Sequence, residues 1–234
     1  MIKPYYQDKW VTIYHGDCRE ILPTLPKVDL VLTDPPYESE AHTPMRRKRS
    51  TVENRSIDDF IPFDCMDEVL RHLLVQTIKN ITDGWSLIFC QAEAVGKYQE
   101  LLNSSYRRPM VWIKPDSSPQ FTGDRPSMGY ETIIASWHGI GKSVWNGGGK
   151  RGVYTYNTGH NHLHETQKPI ELISQLISDF AQQNATILDP FLGSGTTCVA
   201  AKNLNRHSIG IELEERYCEI TVKRLQQEVM ELGI

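Results

Sequence analysis

One stretch constrains this chain more than any other: Val28-Asp29-Leu30-Val31-Leu32-Thr33-Asp34-Pro35-Pro36-Tyr37. Its apolar, β-branched run reads as a buried strand that two prolines stop abruptly. Proline cannot extend a strand ladder, so Asp34 and Tyr37 are expected in a rigid turn at the strand's carboxyl end. In open α/β sheets that is the edge where ligands bind. The turn offers a carboxylate on Asp34, a fixed carbonyl on Pro35 and a flat ring on Tyr37. Such a trio can hold a planar amino group and stack on its base. Taken alone, the same residues also fit a plain strand end with a surface tyrosine.

Around this stretch, strand and helix patterns alternate. Trp10–Tyr14 precedes it as a strand, and Arg19 to Leu25 forms a short helix. After it, Asp64 or Asp67 opens a helix whose apolar positions are Met66, Val69, Leu70, Leu73, Leu74 and Ile78. Asp83-Gly84 ends that unit and Trp85–Cys90 is the next strand, followed by a helix over 93–104. Met110–Lys114 and Tyr130–Trp137 have no helix between them and are expected as an antiparallel edge pair. A helix from Pro169 to Phe180, a strand Thr186–Asp189, a helix through Lys202, a strand His207–Glu212 and a helix Glu215–Met230 complete the chain. The alternation predicts an α/β fold, a doubly wound and mostly parallel seven-stranded sheet, in a single domain spanning 1–234. Two segments lack periodicity: a basic loop at 38–60, and a glycine-rich insert at 139–163 with aromatic and basic residues. The second is either a recognition element or, around Gly147-Gly148-Gly149, a flexible linker.

Composition excludes several classes. No window approaches 18 consecutive apolar residues, which argues against a membrane span. Five scattered cysteines, none in a C-x-x-C pair, argue against metal and disulfide frameworks and suit a reducing cytoplasm. The net charge of −4 hides an uneven distribution, with seven Lys/Arg against three Asp/Glu over 101–163. Arg46-Arg47-Lys48-Arg49 begins nine residues after Tyr37, where a basic loop suits a phosphate backbone. Lys142, Lys150 and Arg151 are the matching candidates in the second insert.

A second ligand signature lies at Asp189-Pro190-Phe191-Leu192-Gly193-Ser194-Gly195-Thr196-Thr197, between a strand and a helix. Glycines there let backbone approach a ligand. The pattern is neither G-x-G-x-x-G nor G-x-x-x-x-G-K-[ST], which disfavours a pyrophosphate tail. Glu212 ends the next strand, where a carboxylate can accept ribose hydroxyls. A nucleoside cofactor without phosphates, such as S-adenosylmethionine, fits both features.

Together with His164-Glu165-Thr166-Gln167-Lys168-Pro169, and with Ile209-Gly210-Ile211-Glu212 followed by Tyr217, these motifs identify a resemblance. The chain resembles amino-group DNA methyltransferases of the permuted β class, over residues 10–37 and 164–225. In that class the catalytic motif precedes the cofactor glycines, as it does here. The resemblance implies the permuted class I S-adenosylmethionine-dependent fold, with Asp34, Pro35, Pro36 and Tyr37 catalytic. It implies cofactor contacts from Asp17 and Cys18 near the adenine ring and from Thr166 and Lys168 near the methionine carboxylate. Asp34, Asp189, Phe191, Gly193, Ser194, Gly195, Thr196, Thr197 and Glu212 complete the cofactor set. The expected reaction is direct in-line methyl transfer to the N6 of a flipped adenine in double-stranded DNA. Cytosine N4 is the alternative target. From another class, the alternative is a non-catalytic DNA-binding or cofactor-sensing relative. A cytosine-C5 enzyme would need a cysteine after proline, and none of the five is so placed. Restriction–modification or solitary phage-type settings both occur by resemblance, and a homodimer would help a chain without a separate recognition domain grip DNA.

Overall fold

A computed structural model describes residues 2–36, 66–119, 121–124, 126–159 and 167–231. Its strands are β1 (Tyr6–Gln7), β2 (Val11–His15), β3 (Val28–Thr33), β4 (Thr82–Cys90), β5 (Tyr106–Ile113), β6 (Tyr130–Trp137), β7 (Val153–Thr155), β8 (Thr186–Asp189) and β9 (His207–Glu212). They form one nine-stranded sheet in the order β1-β2-β9-β8-β3-β4-β6-β5-β7. From β2 across to β4 every pairing is parallel. β6 then runs antiparallel to both β4 and β5, which makes the expected edge pair.

The helices are α1 (Cys18–Ile21), α2 (Glu68–Ile81), α3 (Val95–Leu102), α4 (Ile170–Phe180), α5 (Thr196–Asn203) and α6 (Glu215–Glu231). They cover both faces because the central strands are apolar on both. Leu30, Leu32, Leu87 and Phe89 pack towards Leu172, Ile173 and Leu176 of α4 and Ala200 and Ala201 of α5. Val31 and Ile88 face Leu74, Val75 and Ile78 of α2 and Tyr98 and Leu102 of α3. This is the doubly wound arrangement that fully apolar strands require.

Three details differ from the sequence expectation. The sheet has nine strands rather than seven because β1 and β7, only two and three residues long, add to its edges. β4 begins at Thr82, so Asp83-Gly84 lies inside the strand. A Cβ on Gly84 would stand 2.0 Å from the Asp29 carbonyl oxygen, so glycine there permits the close approach of β3, where the register shifts. Asp67, one of the two expected candidates, caps α2, accepting the Leu70 N–H at 2.7 Å. The helix turns its Leu74, Val75 and Ile78 seam inward and leaves Val69 76% and Leu73 42% exposed.

The glycine-rich segment is tied down through its described residues. Trp145 packs on Phe180 with ring centroids 4.7 Å apart, and the Asn146 N–H donates to the Asp179 carbonyl at 2.9 Å. β7 then joins β5 in parallel.

Candidate active site

All the parallel strands end at one edge, and antiparallel β6 begins there. Side chains on a strand alternate between faces, so Leu30, Leu32 and Asp34 share a side. By the same period Leu87 and Phe89 lie on that side, as do Trp112 and Lys114, and Ala135, Ile133 and Glu131. Each strand's inward apolar series therefore passes, at this edge, into a charged or aromatic residue. Lys168, two residues before α4, projects into the same place.

There the Lys168 ammonium is hydrogen-bonded to Asp34 Oδ2, lies 3.3 Å from Glu131 Oε2, and sits 5.0 Å from the centre of the Phe89 ring. Lys114 holds the other Glu131 oxygen and lies 4.6 Å from the Trp112 ring centre. The charges alternate along Asp34, Lys168, Glu131 and Lys114, and Lys168 is only 7% exposed. Desolvation pushes the Asp34 carboxyl above its ordinary range, the Lys168 ammonium opposes that, and Glu131 reinforces it. Asp34 Oδ1 is buried and has no hydrogen-bond partner among the described residues. Such an orphan is costly unless a ligand satisfies it.

The second turn, after β8, is saturated instead. Asp189 accepts from Thr197 Oγ1 at 2.6 Å, Thr33 Oγ1 at 3.0 Å and the Phe191 N–H at 3.2 Å. Burial still pushes its carboxyl up to about 6. Glu212 accepts the Gly193 N–H at 2.7 Å and the Glu214 N–H at 2.8 Å, and burial raises its pKa. Gly195 has φ +85°, and a Cβ there would meet Thr221 of α6 at 2.3 Å. Arg224, one turn on, donates to the Ser194 carbonyl at 2.6 Å and to Thr196 Oγ1 at 3.2 Å. Gly193 has φ +54° with open space where a side chain would be. The loop is braced from behind by α6 and bare in front.

Next to it, β2 delivers Asp17 and Cys18. Gly16 N–H donates to the Glu212 carbonyl at 2.9 Å, which locks the two strand ends together. The Asp17 carboxylate caps α1 through the Arg19 N–H at 2.8 Å and also binds the Arg19 guanidinium, which lowers its pKa. Cys18, Leu22 and Phe191 line an apolar cleft with Leu70, Leu73 and Leu74 of α2.

Known proteins of like sequence and shape decide the family. The N6/N4 DNA methylase model matches residues 28–223. The chain belongs to this DNA methylase family. It is 27% identical over 266 residues to the type II methyltransferase M.HinfI of Haemophilus influenzae, covering 97% of this chain and 71% of that protein. It is 30% identical over 224 residues to the putative methylase YubD of Escherichia coli K12, covering 93% and 92% of the two. The crystal structure of the M1.HpyAVI–SAM complex superposes with TM-score 0.71 at 26% identity, over 92% of this chain and 98% of that one. The cytosine-N4-specific PvuII methyltransferase shares the fold with TM-score 0.71 at 15% identity, over 95% and 88%.

As a DNA methylase, the chain brings together most of the expected site residues: Asp34, Pro35, Pro36, Lys168, Asp189, Phe191, Gly193 to Thr197, Glu212, Asp17 and Cys18. Tyr37, Thr166 and Arg46-Arg47-Lys48-Arg49 lie outside the described residues. Lys168, expected beside a methionine carboxylate, is engaged by Asp34 and Glu131. Lys142 and Lys150 lie away from the turn, because β6 ends, with Trp137 opposite Trp85, on the far edge of the sheet. There Lys150 pairs with Asp179 of α4 at 2.7 Å. Arg151 is exposed just before β7, which runs back towards the edge that carries Asp34. Sequence reasoning missed Glu131, Lys114 and Arg224, whose places depend on pairings between distant segments. Burial pushes the thiol of Cys18 up to about 11 and those of Cys198 and Cys218 to about 12, so none of these is a ready nucleophile.

Proposed function

We propose that this DNA methylase transfers the methyl group of S-adenosylmethionine to the exocyclic N6 of adenine in double-stranded DNA. The observation that carries the reading is the buried Asp34 Oδ1 at the Pro-Pro turn, which has no hydrogen-bond partner among the described residues. An exocyclic amine is a poor nucleophile because its lone pair is delocalised into the ring. Asp34 Oδ1 accepts one amine hydrogen and the Pro35 carbonyl the other, which localises the lone pair on nitrogen. Tyr37 stacks on the flipped base. When bound, S-adenosylmethionine supplies an electrophilic sulfonium methyl group. The residues around it fit that molecule: Gly193 leaves backbone open towards a ligand, and both Glu212 oxygens retain lone pairs for ribose hydroxyls. Cys18 and Phe191 come together beside the turn, where the family resemblance places the adenine ring. Asp34 and the Pro35 carbonyl then act by positioning and electrostatics, with no covalent enzyme intermediate.

Asp as the first residue of the catalytic tetrapeptide favours adenine, by the family resemblance. Arg46 to Arg49 and Arg151 supply phosphate contacts in this reading, and the protein acts in the cytoplasm. Incubating purified protein with unmethylated DNA and S-adenosylmethionine, followed by nucleoside mass spectrometry, tests it. N6-methyladenine is expected. N4-methylcytosine would overturn the base assignment, and the absence of either product would overturn the activity.

A further inference from the structure

We propose that the loop between β5 and β6, residues 114–129, opens the DNA duplex, with Phe121 as the ring that takes the stacking place left by the flipped base. This rests on the reading that the target base leaves the helix to reach Asp34. The loop rises from the edge that carries Asp34: at its feet are Lys114 and Glu131, whose ion pair continues through Lys168 to Asp34. Those feet are held in place. The Lys114 N–H donates to the Gly129 carbonyl at 2.8 Å, which closes the neck of the loop. The Asp116 carboxylate accepts the Thr158 N–H and Thr158 Oγ1, each at 2.8 Å, and so ties the rising arm to the chain that follows β7.

Apolar residues exposed singly are ordinary, but here they gather. Of the twelve large apolar residues exposed among those described, four lie between 113 and 130: Phe121 at 74%, Met128 at 50%, and Ile113 and Tyr130 at 40% each. Directly after Phe121 the chain turns, with Gly123 at φ +66° and Thr122 Oγ1 donating to Asp124. Phosphate recognition calls for cations, yet Phe121 is followed by the carboxylate of Asp124, and Lys114 at the foot is engaged by Glu131. An aromatic ring and a thioether suit the faces of bases instead. The glycine-rich segment offers no such ring, because Trp145 and Tyr156 pack against the core and Tyr154 is buried. A base that leaves the stack bares the faces of its two neighbours. A ring inserted between them restores the lost stacking and favours the flipped state at Asp34.

The test compares two duplexes once the methylated position has been mapped by sequencing. One is intact, and the other carries an abasic site opposite the methylated base, where flipping costs least. Phe121→Ala is expected to lower kcat/KM on the intact duplex by roughly ten- to a hundredfold, the scale of one lost base-stacking contact. On the abasic duplex it should match the wild type. Phe121→Trp should keep the intact-duplex rate, and cofactor affinity and thermal midpoint should hold in both variants, since the ring is largely exposed. Ile140→Ala is the control: that side chain is fully exposed just past β6, at the opposite edge of the sheet, and its loss should change neither rate. An unchanged intact-duplex rate in Phe121→Ala overturns the inference. So does a deficit equally large on the abasic duplex, which would give Phe121 a role in binding or folding rather than in opening. Persisting turnover in Asp34→Asn, where Phe121 is intact, overturns the reading of Asp34 beneath it and is told apart on that ground.

Discussion

Two turns leave the same sheet edge and are built on opposite plans. After β8, every polar group that the loop needs for its shape is satisfied from within: Asp189 by Thr33, Thr197 and the Phe191 N–H, Glu212 by two backbone N–H groups, Ser194 by Arg224. After β3, two prolines stiffen the backbone but Asp34 keeps a buried oxygen with no hydrogen-bond partner among the described residues. A saturated loop holds its form before a ligand arrives, so less ordering cost falls on binding. An unsatisfied carboxylate stores the opposite, a hydrogen bond that only the right substrate completes. On the proposed reading, the β8 turn supplies shape and the β3 turn chemistry.

The sharpest way to break that contrast is Asp34→Asn. If the β3 turn serves chemistry, methyl transfer falls by roughly 10²- to 10⁴-fold, while cofactor binding and thermal midpoint stay near wild type. Isothermal titration beside single-turnover rates would show it, and lost cofactor binding would count against the division of labour. The converse change is Gly195→Ala. Its left-handed backbone and the 2.3 Å approach to Thr221 predict a loss of about 1–3 kcal/mol in stability, with cofactor affinity falling too. Adding Thr221→Ala removes the clash but not the φ strain, so denaturant melts should recover part of the loss. No recovery would mean that α6 does not brace the loop.

Much of this was legible in the sequence. The alternation of strand and helix patterns pointed to the doubly wound sheet, and the Pro-Pro and glycine turns both leave the carboxyl edge of its parallel strands. What escaped was either too short or too far apart. β1 and β7 have too few residues to show a period, and exist because backbone on β2 and β5 is there to pair with. Asp83-Gly84 resembled a turn, yet in β4 the glycine serves the close approach to Asp29. Val69 and Leu73 fitted a helical stripe, but the seam of α2 is set by the sheet it covers, one residue further round. Glu131 and Lys114 look like ordinary strand-end charges until β6 is placed between β4 and β5. Only then does period-two alternation carry them to the side of Asp34.

A smaller effect probes the brace from outside the loop. Arg224→Met leaves the Ser194 carbonyl without its charged donor, at about 1–1.5 kcal/mol, so cofactor affinity should drop several-fold with kcat little changed. A drop in kcat alone would place Arg224 with the chemistry instead.

The last prediction concerns the charge buried inside the saturated loop. Asp189 titrates near 6 in the folded chain against 3.8 as an ordinary carboxyl, because burial outweighs its three hydrogen bonds. A raised folded value means that the folded state holds the proton more tightly. The stabilisation is complete below pH 4 and is lost as pH rises through 6. Between pH 5 and pH 8 this amounts to about 1 kcal/mol. Asp34 and Glu212 are raised as well, so the wild-type slope alone does not isolate Asp189. The difference between wild type and Asp189→Asn does, since the amide keeps the shape and one acceptor but cannot ionise. Urea melts should show the wild type losing stability relative to the variant as pH rises through 6. A flat difference would mean that the hydrogen bonds from Thr33, Thr197 and Phe191 suffice to keep Asp189 ionised. The β8 turn would then be rigid without any electrostatic cost.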